Sequence, residues 1–169
     1  MRKLLSFPNP VNEKAARVVA GCVLALSVLA LVTSWYWLLP VLAAGFLLRV
    51  LTGPRLSPLG LLATRVVAPR LGPPKLVAGP PKRFAQGMGA AITAAAAVLA
   101  FGFGMNGAAD VLLVAMIVAS GLESIFAFCV GCTIFGVLMR LGLVPDDVCA
   151  ECANIWSRPG GARQGTPAS

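Results

Sequence analysis

The stretch VVAGCVLALSVLALVTSWYWLLPVLAAGFLL, residues 18–48, runs for 31 positions without a charged side chain, and how it is divided decides the fold. As a single helix it would rise about 46 Å, against a bilayer hydrocarbon core of roughly 30 Å. One straight span is too long. Thr33 and Ser34 followed by Trp35, Tyr36 and Trp37 mark the division, because amphipathic aromatics settle at headgroup depth and hydroxyls suit a turn there. The reading is one helix over about 15–33 and a second over about 36–50, with Pro40 in the first turn of the second, where a missing N–H costs least. The competing reading is one tilted helix with a polar kink.

Working outward, the rest of the chain has the same character. Of 169 residues 58% are hydrophobic and 12% charged, and the mean hydropathy is +0.86. A water-soluble domain needs a polar surface over its core, and such long uncharged runs suit lipid instead. The net charge of +8 does not point to nucleic acid, since the basic residues lie between apolar runs rather than along one polar face. The basic start lacks a short apolar region ending in a cleavage site, so no removed signal peptide is expected.

Residues 49–83 hold Arg49, Arg55, Arg65, Arg70, Lys75, Lys82 and Arg83 among seven prolines, the composition of a cytoplasmic loop. Within it, Ser57 and Pro58 supply an N-cap and an N1 proline for LGLLATRVVAP, predicted to lie along the interface as a short amphipathic helix. The following PPKLVAGPPK is too rich in proline for helix and is expected to be extended. A third uncharged run covers 84–109, in which Gly87, Ala91 and Ala95 recur every fourth residue and suggest a packing face. A turn at Gly102 to Gly107 leads to a fourth run, 111–139, interrupted only by Glu123. Its length overshoots the bilayer, so its last turns should leave the hydrocarbon or bend near Gly131; a fifth span is the alternative.

Charge favours four spans. All 14 Lys and Arg then fall on one side, and the two opposite turns hold none. That is the positive-inside pattern, with both termini in the cytoplasm of a multi-pass plasma (inner) membrane protein. The expectation is an all-α polytopic transmembrane bundle: a cytoplasmic segment 1–14, a four-helix domain 15–143 with spans near 15–33, 36–50, 84–103 and 108–130, the last extended as helix to 140, and a cytoplasmic tail 144–169 whose end is disordered.

The chemistry-bearing residues are few. Cys129 and Cys132 in CVGC, then Cys149 and Cys152 in CAEC, have the spacing of a four-thiolate zinc site. At a reducing cytoplasmic face structural disulfides are disfavoured. The choices are zinc, a dithiol that cycles with a disulfide, or small apolar residues packed in a bundle; packing is the reading for the isolated Cys22. CVGC lies in apolar sequence, unlike a zinc knuckle, which favours the dithiol. Zinc is the one cofactor the spacing suits. Glu123 is the ionisable side chain deep in a predicted span, where burial is costly. It is read as a proton- or cation-binding group of a small transporter, as a polar tether to Ser120, Ser124 or Gln86, or as a carboxyl near the interface. On a continuous helix Glu123 and Cys132 point about 180° apart, so they share a site only if that helix breaks. The chain has no histidine, which removes Ser-His triads and His-ligated zinc hydrolases.

The stretches NPVNEKAARVVAG, RVLTGPRLSPLG, GPPKRFAQGMG and FCVGCTIFGVLMRLG resemble a group of bacterial membrane proteins defined only as a domain of unknown function. The resemblance covers about residues 7–143. It implies about four membrane helices and occasional association with thioredoxin-like or sulfurtransferase proteins. The positions that carry it are Pro81, Lys82, Arg83, Phe84, Ala85 and Gln86, then Cys129, Gly131 and Cys132. It strengthens the expectation of thiol-disulfide or sulfur metabolism through Cys129 and Cys132, with a scaffold clamped by a zinc site of Cys129, Cys132, Cys149 and Cys152, or a transporter using Glu123, as alternatives. Whether the chain is an enzyme stays open. The expected partners are the bilayer and such a thioredoxin-like or sulfurtransferase protein, with no nucleic acid.

Overall fold

A computed structural model of the chain describes residues 9–55 and 57–144. Helix α1, Glu13–Thr33, begins at Asn12, whose side chain accepts from the Lys14 N–H, and ends at Ser34 in the left-handed conformation. Trp35 N–H closes on Ala30 O at 3.1 Å, so the long uncharged run divides at the polar and aromatic cluster. Helix α2, Leu38–Thr52, returns along α5, Gly79–Gly102, and α6, Asn106–Phe126, packs antiparallel to both α5 and α1. The sequence positions that meet show the directions. Tyr36 reaches Asp110 at one end of the α1–α6 pair and Arg17 reaches Ser124 at the other. Trp37 lies against Phe101 at one end of the α2–α5 pair and Arg49 binds Gln86 at the other.

Three helices, α1, α5 and α6, are long and apolar enough to cross a membrane. Helix α2 has 15 residues and a rise of about 22 Å, short of the hydrocarbon core. The surface fits the same solvent. Val32, Val41, Val111 and Val118 are all more than half exposed, an apolar exterior that water would penalise. Trp35, Trp37, Phe103 and Met105 are exposed together at the α1–α2 and α5–α6 turns, where aromatics mark a lipid–water boundary.

At the other end of the bundle the chain is tied back on itself. Strand β1, Val11–Asn12, pairs antiparallel with β2, Leu76–Val77, and Asn9 Oδ1 accepts from Gly79 N–H at the start of α5. Between α2 and β2 the chain makes α3, Pro58–Leu62, a π turn over Ala63–Val67 and α4, Ala68–Arg70. Ser57 caps α3 and Pro58 occupies its first turn. Ala63 and Ala68 are buried in the same cluster as Ala15, Val19 and Phe46, while Arg65 and Val66 face outward, so the segment is docked on the bundle.

Two expectations are corrected. The packing face of α5 is Lys82, Gly89, Thr93 and Ala96; Ala91 and Ala95 are exposed and Gly87 has nothing within 4 Å of a Cβ placed there. Helix α5 carries glycine or alanine on several faces, so a four-residue repeat could not choose one. Contact chose it: a Cβ at Gly89 would overlap the Phe46 ring, and the Thr93 hydroxyl folds back onto Gly89 O.

The second correction concerns the last helix, which does not extend through 108–140. Helix α6 stops at Phe126, and α7, Val130–Arg140, starts after a three-residue link, several residues before the bend expected at Gly131. Ala127 is left-handed with φ 58°, and the N–H groups of both Ala127 and Phe128 return to Leu122 O, which closes the last turn of α6. The Arg17 guanidinium donates to the exposed terminal carbonyls of Ser124 at 3.0–3.1 Å and Ile125 at 3.1 Å. These bonds satisfy acceptors that would otherwise continue the helix.

Candidate functional site

The break re-aims the chain so that α7 lies against the first turns of α5, outside the long helices. Gly131 makes this approach possible: a Cβ there would lie 2.6 Å from both Cα and Cβ of Ala85, closer than any side chain fits. One turn on, Phe135 meets Phe84 with ring centroids 5.6 Å apart. The start of α7 therefore sits over Lys82.

Cys129 is the N-cap of α7, with its Sγ accepting from the Cys132 N–H at 3.4 Å. A serine or threonine ordinarily fills that role; here a sulfur takes it, pointed at unpaired backbone N–H groups. Both cysteines are free thiols, Cys129 buried and Cys132 half-buried, and they hydrogen-bond each other through their side chains. Lys82, only 7% exposed, places Nζ 2.6 Å from Glu123 Oε1, and the charges of both act on both sulfurs. The Cys132 hydrogen bond holds the Cys129 thiol below its ordinary 9.0; the Lys82 ammonium works in the same direction, and burial and Glu123 oppose it. Cys132 is pushed up, first as the donor to Cys129 and then by burial. Helix N-termini and neighbouring cations produce this split in C-x2-C pairs. The thiolate therefore forms on Cys129 before it forms on Cys132.

Behind the thiols a cavity of about 230 Å³ runs into the bundle, lined by Ala20, Phe46, Met88, Met116, Glu123 and Cys129 among others. Its walls are apolar, with Glu123 and Cys129 at one end.

Glu123 and the cysteines, which an unbroken helix would hold apart, thus come together, joined by Lys82. The tethers expected for Glu123 lie elsewhere. Ser120 bonds back to Met116 O, and Gln86 accepts from Arg49. Cys22 is half-buried on α1. Among the described residues no three His, Cys, Asp or Glu come together as a metal site; Cys149 and Cys152 lie outside the described residues. Lys82 is the residue of this cluster to which sequence reasoning did not give a role. Its signal was present, a lysine at the mouth of an apolar helix, but in sequence it reads as one more flanking charge.

No curated protein and no solved structure matches the chain. The match to a family covers residues 11–140, which takes in every residue of the site from Lys82 to Cys132. The chain therefore belongs to the family described as a domain of unknown function, DUF4395.

Proposed function

We propose that this protein is a four-span membrane protein whose Cys129–Cys132 dithiol exchanges electrons with a disulfide-carrying partner at the face bearing Lys82 and Glu123. The observation that carries the reading is Cys129 capping α7 with Cys132 one turn behind it and a Lys82–Glu123 pair beneath. In the forward direction the Cys129 thiol loses its proton and the thiolate attacks a partner disulfide. A mixed disulfide forms, and the partner's other sulfur leaves and takes up that proton. Cys132 then gives its proton to Glu123 and attacks Cys129 Sγ, closing the intramolecular disulfide; the departing partner sulfur takes the proton back from Glu123, so the partner leaves as a dithiol. Two electrons leave this chain, and the reverse sequence returns them.

In this reading α2 is the fourth span. The bilayer thins slightly around it, with Trp37 at one end and Arg49 at the other. Arg17, Arg49, Lys82 and Arg83 lie at the thiol end of the bundle, so the positive-inside rule puts that end and both termini in the cytoplasm. The partner is then a cytoplasmic thioredoxin-like protein.

The test is redox equilibration of the purified protein in glutathione buffers, read by thiol-labelling mass shift. One Cys129–Cys132 disulfide should form reversibly, and Cys132→Ser should hold a mixed disulfide with a thioredoxin-like partner whose resolving cysteine is replaced and whose attacking cysteine is first activated as its mixed disulfide with thionitrobenzoate, which departs as the leaving thiol. Thiols that stay reduced at every buffer ratio, or one zinc per chain shielding them from label, would overturn the proposal.

A further inference from the structure

The cavity behind the thiols has a polar end and an apolar body. Glu123 and Cys129 stand at the polar end, and Val23, Phe46 and Ile92 line the rest. Where it opens follows from four of its lining residues, Met88 and Ile92 on α5 and Ala115 and Ala119 on α6. Ala115 is exposed and the other three are half-buried. All four lie near the middle of two helices long and apolar enough to cross a membrane. The opening between α5 and α6 therefore faces hydrocarbon, and what enters it is dissolved in lipid.

Size and chemistry narrow the occupant. An engineered apolar cavity of about 150 Å³ takes up benzene. At about 230 Å³ this one accepts a ring with small substituents, any longer tail remaining in the lipid. The deep walls carry no group to neutralise a charge, so an ionic ligand is excluded. An alkyl chain has nothing to offer the end that holds Glu123 and Cys129. A quinone suits both ends, since its flat apolar ring carries carbonyl oxygens at its edges. It also takes up two electrons and two protons, which is what a dithiol gives up on becoming a disulfide.

We infer that the cavity binds a lipid-soluble quinone, entering between α5 and α6 with one carbonyl oxygen at the Glu123 end, and that this quinone takes electrons from the Cys129–Cys132 dithiol. The inference rests on the thiol reading and names a second redox partner for the same pair. The Cys129 thiol loses its proton to Glu123, which hands it to the near quinone oxygen as the sulfur bonds to a ring carbon. Cys132 then gives its proton to Glu123 and attacks Cys129 Sγ. The sulfur–carbon bond breaks, its electron pair enters the ring, and the hydroquinone anion takes the second proton from Glu123 as it leaves. A disulfide and a hydroquinone result. A thioredoxin-like dithiol restores the pair by the exchange already described, so electrons pass from that partner to the quinone.

The experiment uses the full chain in maltoside micelles, reduced beforehand and kept free of air, with duroquinone as the probe because its fully methylated ring forms no lasting thioether. Quinone absorbance and thiol-labelling peptide mass spectrometry are followed together. One duroquinone should be consumed for each Cys129–Cys132 disulfide formed. At fixed detergent the rate should level off as duroquinone rises, which reports a bound complex and needs no variant. Ala119→Leu narrows the opening and should lower the rate below saturation at least tenfold, in protein whose disulfide still forms in glutathione buffer. Three results would overturn the inference and leave the thiol reading standing: a dithiol that glutathione oxidises and duroquinone does not, a rate linear in duroquinone, or an undiminished rate in folded Ala119→Leu. The last two are what a cavity filled by a lipid acyl chain gives. A dithiol that neither reagent oxidises overturns both.

Discussion

Lys82 Nζ and Glu123 Oε1 lie 2.6 Å apart, with the two side chains 9% and 15% exposed, joining the start of α5 to the last turn of α6 directly beneath the break that leads to Cys129. A buried pair of this kind is sensitive to the loss of one member and tolerant of the loss of both. Glu123→Gln should therefore destabilise the protein by about 3–5 kcal/mol, as should Lys82→Met. The double variant Lys82→Met with Glu123→Leu should recover most of that loss. Denaturant titration in mixed micelles measures all three, and a double variant as unstable as the sum of the singles would refute the pairing.

Gly131 and Gly136 lie on the same short helix and make opposite predictions. Gly131→Ala drives a methyl group into the Ala85 backbone and should cost about 1–3 kcal/mol as overpacking. A Cβ at Gly136 meets nothing within 4 Å, so Gly136→Ala should stabilise α7 by up to about 1 kcal/mol. Thermal unfolding of the two variants side by side decides the matter. Equal midpoints would mean that α7 does not pack on α5 as described.

Ala127 adopts φ 58°, a conformation that costs a residue with a Cβ roughly 1 kcal/mol. Ala127→Gly should remove that strain and stabilise the α6–α7 link by about 0.5–1 kcal/mol. Arg17→Gln should do the reverse by uncovering the carbonyls of Ser124 and Ile125, and amide exchange around 127–129 should accelerate. Exchange unchanged in Arg17→Gln would show that the guanidinium does not hold the helix end.

The two thiols should separate by pH. With Cys129 held below its ordinary 9.0 and Cys132 above it, the thiolate of Cys129 forms first as pH rises. Iodoacetamide alkylation followed by peptide mass spectrometry should label Cys129 with a midpoint below pH 9, while Cys132 lags. In Cys132→Ser the Cys129 midpoint should move upward, since the serine hydroxyl is a poorer partner for a thiolate. Labelling of both thiols at one common midpoint would remove the division of labour assigned to them.

How far the sequence could be read depended on which forces act locally. The division of residues 18–48 was legible because Thr33, Ser34 and the three aromatics after them announce a lipid boundary without help from the rest of the chain. The cap and first turn at Ser57 and Pro58 were legible for the same reason. The end of α6 was not. Ala127 carries none of the glycine signature of a helix stop, and the arginine that satisfies the terminal carbonyls comes from α1, 107 residues earlier. Gly131 drew attention as a breaker when its role is to let α7 touch α5.

By itself the sequence determined that this chain forms helices long and apolar enough to cross a membrane, since uncharged runs are properties of segments and need only lipid as a reference. It also supplied every group in the candidate site: Lys82, Glu123, Cys129 and Cys132 are all visible along the chain. Only the tertiary structure brought them together, because the break at Ala127 turns α7 onto α5 and replaces the 180° separation of Glu123 and Cys132 with proximity through Lys82. The Arg49 guanidinium likewise meets its partners only in the folded state, where neighbours 8 and 37 residues away take its Nη1 and Nε. Helix formation follows from the chain and its solvent; which charges end up buried, and against what, follows from packing.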